Sequence, residues 1–223
     1  MTGSPFRFVL FGDSICVGQG VAIHETWAAR LSQALAEAAA PQAIVVSNPS
    51  VNGNTTRQAL ERMAFDVQNN GVDAILIQFG LNDANHWETD RGVPRVSPAA
   101  FAANLAEIVD RARAFGAGVV MLNTNHPTTR DSEIMRHTDK TYESCNRRYN
   151  EIIREVAAAR DAMLNDVEAH VRARIPDRKA LAALLLADGL HLSRAGHDIY
   201  FEFLAPRVAG VVNGVPEGQT RAR

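Results

Sequence analysis

Five short apolar runs punctuate the chain: Phe6 to Phe11, Ala43 to Ser47, Ala74 to Phe79, Val119 to Asn123 and, more weakly, Ala162 to Asn165. Short β-rich runs of this kind read as strands. Between them the apolar positions change to helical spacing. Trp27, Leu31, Ala34, Leu35 and Ala38 form one stripe, and Leu60, Met63, Ala64 and Val67 form a second. Ser97 followed by Pro98 predicts an N-cap and a first helical position; Phe101, Leu105, Ile108, Val109 and Ala112 supply the buried stripe, and Gly116 the stop. Further helices are predicted over Tyr142 to Ala159, over Arg178 to Ala187, and from a Ser193 cap toward Pro206. Strands alternating with helices specify a parallel sheet with helices on both faces. The fold class is therefore α/β, a three-layer α/β/α sandwich around about five parallel strands.

One core accounts for residues 1–213, and the polar stretch 214–223 reads as a flexible tail. Two segments, 84–96 and 125–141, are long for loops in such a fold. Each follows a strand's carboxyl end, where long loops serve function more often than not. Composition narrows the partners. With 23 Lys and Arg against 25 Asp and Glu, a net charge of −2 and no charge run, neither nucleic acid nor an anionic membrane is an expected partner. No apolar segment spans a bilayer and no basic leader precedes one, so a cytoplasmic location is expected. Cys16 and Cys145 are too few for a disulfide framework and are expected to be free thiols. Oligomeric state is left open.

Four polar turns carry the candidate chemistry. The first strand ends abruptly on Gly12-Asp13-Ser14, which reads either as an ordinary turn or as an exposed serine nucleophile at the ligand-binding edge of the sheet. A serine hydroxyl needs a base. His191 follows three residues after Asp188, which could hold its other ring nitrogen; the same pair could also be a local loop contact. Asn82, in Gly80-Leu81-Asn82-Asp83, offers a side-chain amide donor for an oxyanion. In Asn52-Gly53-Asn54-Thr55, Gly53 could bring its N–H to a substrate, or the segment could simply cap a helix. What favours chemistry is convergence, since all four turns fall on one edge of the sheet. Asp13 and Asp83 read as hydrogen-bonding supports. Asp188, His191 and His197 lack the spacing of a metal site. Trp87 and His126, in the two long loops, are candidate substrate contacts.

Together these blocks resemble the SGNH hydrolases, also known as GDSL esterases and lipases, whose signature Ser, Gly, Asn and His correspond to Ser14, Gly53, Asn82 and His191, in that order. Ile15 departs conservatively from the usual leucine. The resemblance implies a flavodoxin-like sheet and a serine esterase working through an acyl-enzyme, without metal or organic cofactor. Ser14 would be the nucleophile, His191 the base and Asp188 its orienting acid. The Ser14 and Gly53 N–H groups and the Asn82 side chain would form the oxyanion hole. A small-molecule ester with a short acyl group such as acetyl is the expected substrate. An acyltransferase, or a thioesterase or lysophospholipase, would use the same residues, and a non-catalytic binding module is the distant alternative.

Overall fold

A computed structural model describes residues 4–40 and 42–214. Five parallel strands, β1 (Phe6–Gly12), β2 (Ile44–Ser47), β3 (Ala74–Gln78), β4 (Val119–Asn123) and β5 (Met163–Asn165), lie in the order β2-β1-β3-β4-β5. This is the flavodoxin-like order expected from the resemblance. The strand order reverses direction at β1, and there a doubly wound sheet opens a crevice beyond its carboxyl ends.

Alternation along the strands sorts side chains into two cores. Val9 and Phe11 face one layer with Ile75, Ile77, Val120 and Leu122, while Phe6, Phe8 and Leu10 face the other with Leu76 and Met121. The first layer is roofed by α3 (Thr56–Met63), α4 (Pro98–Ala114) and α5 (Tyr142–Ala159). The second is roofed by α2 (Trp27–Ala38), α6 (Val167–Arg174) and α8 (Arg194–Gly214). Two shorter helices, α1 (Ser14–Val17) and α7 (Arg178–Ala183), sit at the loops. The caps follow the sequence closely. Ser97 Oγ accepts from Ala100 N–H with Pro98 in the first turn, and Thr55 and Gln58 form a reciprocal capping box on α3.

Three expectations are corrected. The helix expected to reach Ala187 stops at Ala183, because Leu185 pairs with Leu192 and the Leu186 N–H reaches the His191 carbonyl at 2.7 Å, folding 184–192 into a tight loop instead. The last helix runs through Pro206 rather than stopping there. Burial of Val208 and Val212, on the same stripe as Tyr200 and Leu204, outweighs the one hydrogen bond proline removes. Ala64 is exposed, since α3 loosens into a π-turn over 64–68 that shifts the stripe's phase. The tail expected over 214–223 lies, beyond Gly214, outside the described residues.

At the carboxyl ends of β3, β4 and β5 a chain of buried amides crosses the sheet. Asn165 Nδ2 donates to Asn123 Oδ1 at 2.9 Å, Asn123 Nδ2 to Gln78 Oε1 at 3.0 Å and Gln78 Nε2 to Asn125 Oδ1 at 2.8 Å. Asn125 Nδ2 then donates to the Phe79 carbonyl at 3.2 Å, beneath the turn that carries Asn82.

Candidate active site

The β1–α1 turn is built to present Ser14. A Cβ on Gly12 would fall 2.5 Å from Cys16 Sγ and 2.7 Å from the Gln78 carbonyl, so only glycine fits between β1 and β3. Asp13 caps α1, its Oδ1 accepting the Ile15 N–H at 3.0 Å, and Gly18 ends the helix in the left-handed region at φ 79°. Ser14 therefore stands in the first turn of a four-residue helix.

Opposite it, the 184–192 loop brings up the histidine. Ser14 Oγ lies 2.9 Å from His191 Nε2, and His191 Nδ1 lies 2.6 Å from Asp188 Oδ2. A carboxylate only accepts, so Nδ1 carries the ring proton and Nε2 is left to accept from the serine hydroxyl. Asp188 Oδ1 accepts the backbone N–H groups of Leu190 and His191 at 2.9 and 3.0 Å, which fixes the carboxylate to its own loop. Burial tends to raise the Asp188 pKa. The hydrogen bonds from the His191 ring and from the two amides outweigh it and hold the carboxyl below its ordinary range. Residues 177 apart in sequence thus form a Ser–His–Asp relay.

Two buried carboxylates tie the remaining turns to this one. Asn82 Nδ2 donates to Asp13 Oδ2 at 3.1 Å, joining the β3 turn to the β1 turn. Next to it, Asp83 Oδ1 accepts Thr56 N–H at 2.9 Å and Thr56 Oγ–H at 2.5 Å, joining the β3 turn to the start of α3, just after Gly53. Asp83 Oδ2 has no partner among the described residues. Burial pushes Asp13 up to about 7 against the pull of its hydrogen bonds, with the nearby Asp83 charge adding to the rise. Burial likewise pushes Asp83 up to about 6. Gly53 is exposed with φ 76°, and neither its N–H nor that of Ser14 has an acceptor among the described residues. These donors, with the Asn82 amide, stay available at the edge where Ser14 sits.

The two long loops meet across the same edge. Glu88 pairs with Arg136, and Gly92 packs on the backbone of His137. Trp87 is exposed, with the Arg95 guanidinium 4.3 Å from its ring centroid, and Arg95 Nη1 donates to the Gly53 carbonyl at 3.0 Å. His126 departs from the expectation of a substrate contact. It is 1% exposed, with Nδ1 at 2.7 Å from Tyr200 Oη and Nε2 at 2.8 Å from the Leu190 carbonyl. Loop position suggested exposure; partners far along the chain, on α8 and the 184–192 loop, bury it. His197 is turned away from Asp188 and His191, and its Nδ1 accepts the Trp27 N–H at 3.2 Å. Among the described residues no group of three His, Cys, Asp or Glu side chains is clustered to hold a metal ion. Cys16 and Cys145 are both buried and unpaired; burial pushes both thiols up, away from nucleophilic thiolate. No described helix is long and apolar enough to cross a membrane.

Sequence reasoning found the supports Asp13 and Asp83 but missed two others. Glu143 and Glu168 are almost fully buried, and they hold the β4 loop and α5 through Thr128, Asn146, Asn150, Arg154 and Arg172. A glutamate on a helix reads locally as a solvated position, so no local signal pointed to them.

Comparison with known proteins identifies relatives of the chain. The profile of the GDSL-like lipase/acylhydrolase family matches residues 10–199. An arylesterase of Vibrio mimicus is 31% identical over 121 residues, 54% of this chain and 56% of the relative. Esterase TesA of Pseudomonas aeruginosa is 29% identical over 119 residues, 53% and 54% of the two chains. The chain thus spans about half the length of the curated relatives it matches. The crystal structure of Axe2, an acetylxylan esterase from Geobacillus stearothermophilus, superposes with a TM-score of 0.74 at 20% identity over 99% of both chains, a likeness of fold.

Proposed function

The chain belongs to the GDSL-like lipase/acylhydrolase family, and from that premise we propose that it is a serine esterase acting on small carboxylic esters with short acyl groups such as acetyl. The observation that carries the reading is the unbroken contact from Ser14 Oγ through the His191 ring to Asp188. His191 Nε2 takes the hydroxyl proton as Ser14 Oγ attacks the ester carbonyl carbon. The first tetrahedral oxyanion collapses, the alcohol leaves with the proton from His191, and the acyl group stays on Ser14. Water, deprotonated by the same nitrogen, then adds to the acyl-enzyme, and the acid departs as Ser14 recovers its proton. Asp188 keeps the ring in the productive tautomer and stabilises the imidazolium. The N–H groups of Ser14 and Gly53 and the Asn82 amide are the donors for both oxyanions.

The match to an arylesterase supports ester hydrolysis. A short acyl group is favoured by the turns around Ser14, where the exposed Asn52 and the half-buried Asn82 offer little apolar surface to a long chain. Trp87, exposed in the loop joined to the Gly53 turn through Arg95, is the proposed contact for the alcohol portion.

A fluorophosphonate probe and a panel of p-nitrophenyl esters from acetate to palmitate test the reading. Expected are covalent phosphonylation of Ser14 with loss of fluoride, abolished in Ser14→Ala, and kcat/KM highest for acetate. Folded protein that neither labels at Ser14 nor cleaves any ester overturns the enzyme assignment, and preference for palmitate overturns the short-acyl assignment.

A further inference from the structure

The loop that carries Asp188 and His191 is held by a row of donors from a single neighbouring segment. Arg130 Nε donates to the Asp188 carbonyl at 2.9 Å, Thr129 N–H to the Gly189 carbonyl at 3.1 Å, and His126 Nε2 lies 2.8 Å from the Leu190 carbonyl. The next carbonyl, of His191, accepts the Leu186 N–H. Four successive carbonyls are therefore each occupied, three of them by the segment 126–130. Gly189, at φ 69°, packs so closely on Thr129 Oγ1 that no side chain fits between them.

The tautomer of His126 follows from its partners. The Leu190 carbonyl can only accept, so Nε2 carries the proton; Nδ1 is then an acceptor, and the Tyr200 hydroxyl donates to it. Only a neutral imidazole meets both demands without reorienting the tyrosine. Burial holds the His126 pKa down at about 4, which keeps the ring neutral. The segment that carries it is itself anchored. Thr128 N–H and Oγ–H donate to the buried Glu143 carboxylate at 2.8 and 2.9 Å, and Asn146 Nδ2 donates to the His126 carbonyl at 3.0 Å.

We infer that His126 is a positioning residue for the acid–base pair: its Nε2–H, with Thr129 and Arg130, fixes the carbonyls of the 188–191 loop so that the His191 ring stays in contact with Ser14. The inference rests on the esterase reading. A flexible loop would let His191 leave the serine, and because the reacting groups are a 2.9 Å contact apart, small displacements are costly to turnover. Substrate binding does not use these bonds, so the loss falls on kcat.

The test compares His126→Asn with His126→Gln, assayed with p-nitrophenyl acetate and with the fluorophosphonate probe. Asparagine reaches only the place of Nδ1 and loses the Leu190 contact; glutamine places an N–H near Nε2 and keeps it. Expected is a fall in kcat and in Ser14 labelling rate of tenfold or more for His126→Asn with KM unchanged, and recovery to within about threefold for His126→Gln. Arg130→Met, at a half-buried position, should lower kcat severalfold in the same manner and serves if His126→Asn does not fold. Equal kcat in the Asn and Gln variants, or a wild-type labelling rate in His126→Asn and Arg130→Met, overturns the inference. Failure of the wild-type protein to label or to turn over overturns the esterase reading instead.

Discussion

Asp13 is a carboxyl group that folding takes out of water, and its removal by Asp13→Asn has a calculable signature. In the unfolded chain it titrates near 3.8, and in the folded protein burial pushes it up to about 7. Over that window the folded state holds a proton that the unfolded state has released. Stability is therefore greatest at the acid end, falls as pH rises through the window, and levels off above about 7. For a single group shifted this far, the loss between about pH 5 and about pH 8 is about 3 kcal/mol, a large share of the roughly 5–15 kcal/mol that holds a domain together. Asparagine is nearly isosteric and has no proton to lose. Its amide nitrogen cannot accept a hydrogen bond, whereas either oxygen of the carboxyl group can, so it gives up either the Ile15 or the Asn82 contact and starts from lower stability in acid. Urea unfolding followed by the fluorescence of the buried Trp27, at intervals from pH 5 to pH 8, measures both curves. The wild-type curve should fall toward the mutant's by about 3 kcal/mol across that range. Asp83 shifts in the same sense in both proteins, so the difference reports Asp13 together with its coupling to Asp83. Parallel curves would refute the reasoning, because they would mean that Asp13 binds the same number of protons folded and unfolded.

Asn82→Ala should leave the fold intact and lower kcat about 100- to 1000-fold, equivalent to about 2.7–4 kcal/mol of transition-state stabilisation, with little change in KM; steady-state kinetics on p-nitrophenyl acetate checks it. Leu31→Ala, on the face of α2 buried in the second core, should cost about 2–5 kcal/mol in urea unfolding without altering kcat, since it leaves a cavity but removes no group that contacts Ser14, His191 or Asp188. Asp188→Asn should lower kcat by about 10⁴-fold while leaving fluorophosphonate labelling slow but detectable, because the amide favours the wrong His191 tautomer without removing Ser14.

What could be read from the amino-acid order divides along a physical line. Strands β1, β3 and β4 are apolar on both faces, so each announces itself within its own residues, and the turn chemistry of Gly12, Gly80 and Ser97 is equally local. The four candidate turns were legible for the same reason, each directly following a strand or preceding the last helix. Helix α6 was not, because its buried positions include Glu168, a residue that reads as solvated until Asn150, Arg154 and Arg172 are brought to it. His126 was misread likewise: loop membership is local, but the Tyr200 hydroxyl and Leu190 carbonyl that bury it lie 74 and 64 residues away. The truncation of the 178–187 helix has the same origin, in a pairing between Leu185 and Leu192 that helical spacing does not report.

The amides linking Asn165, Asn123, Gln78, Asn125 and the Phe79 carbonyl have a direction. A main-chain oxygen has no hydrogen to give, so Asn125 must turn its nitrogen toward Phe79, and that choice propagates back until Asn165 is left with a surplus oxygen that nothing among the described residues satisfies. Like a row of one-way valves, no member can flip unless all of those behind it do. An aspartate at Asn123 or Gln78's neighbour Asn125 would stop the sequence at that point, since a carboxylate has no hydrogen to pass on. Because no link ionises, the platform under the Asn82 turn keeps one arrangement from acid to alkali, and the shifted titrations at this edge belong to the carboxylates above it.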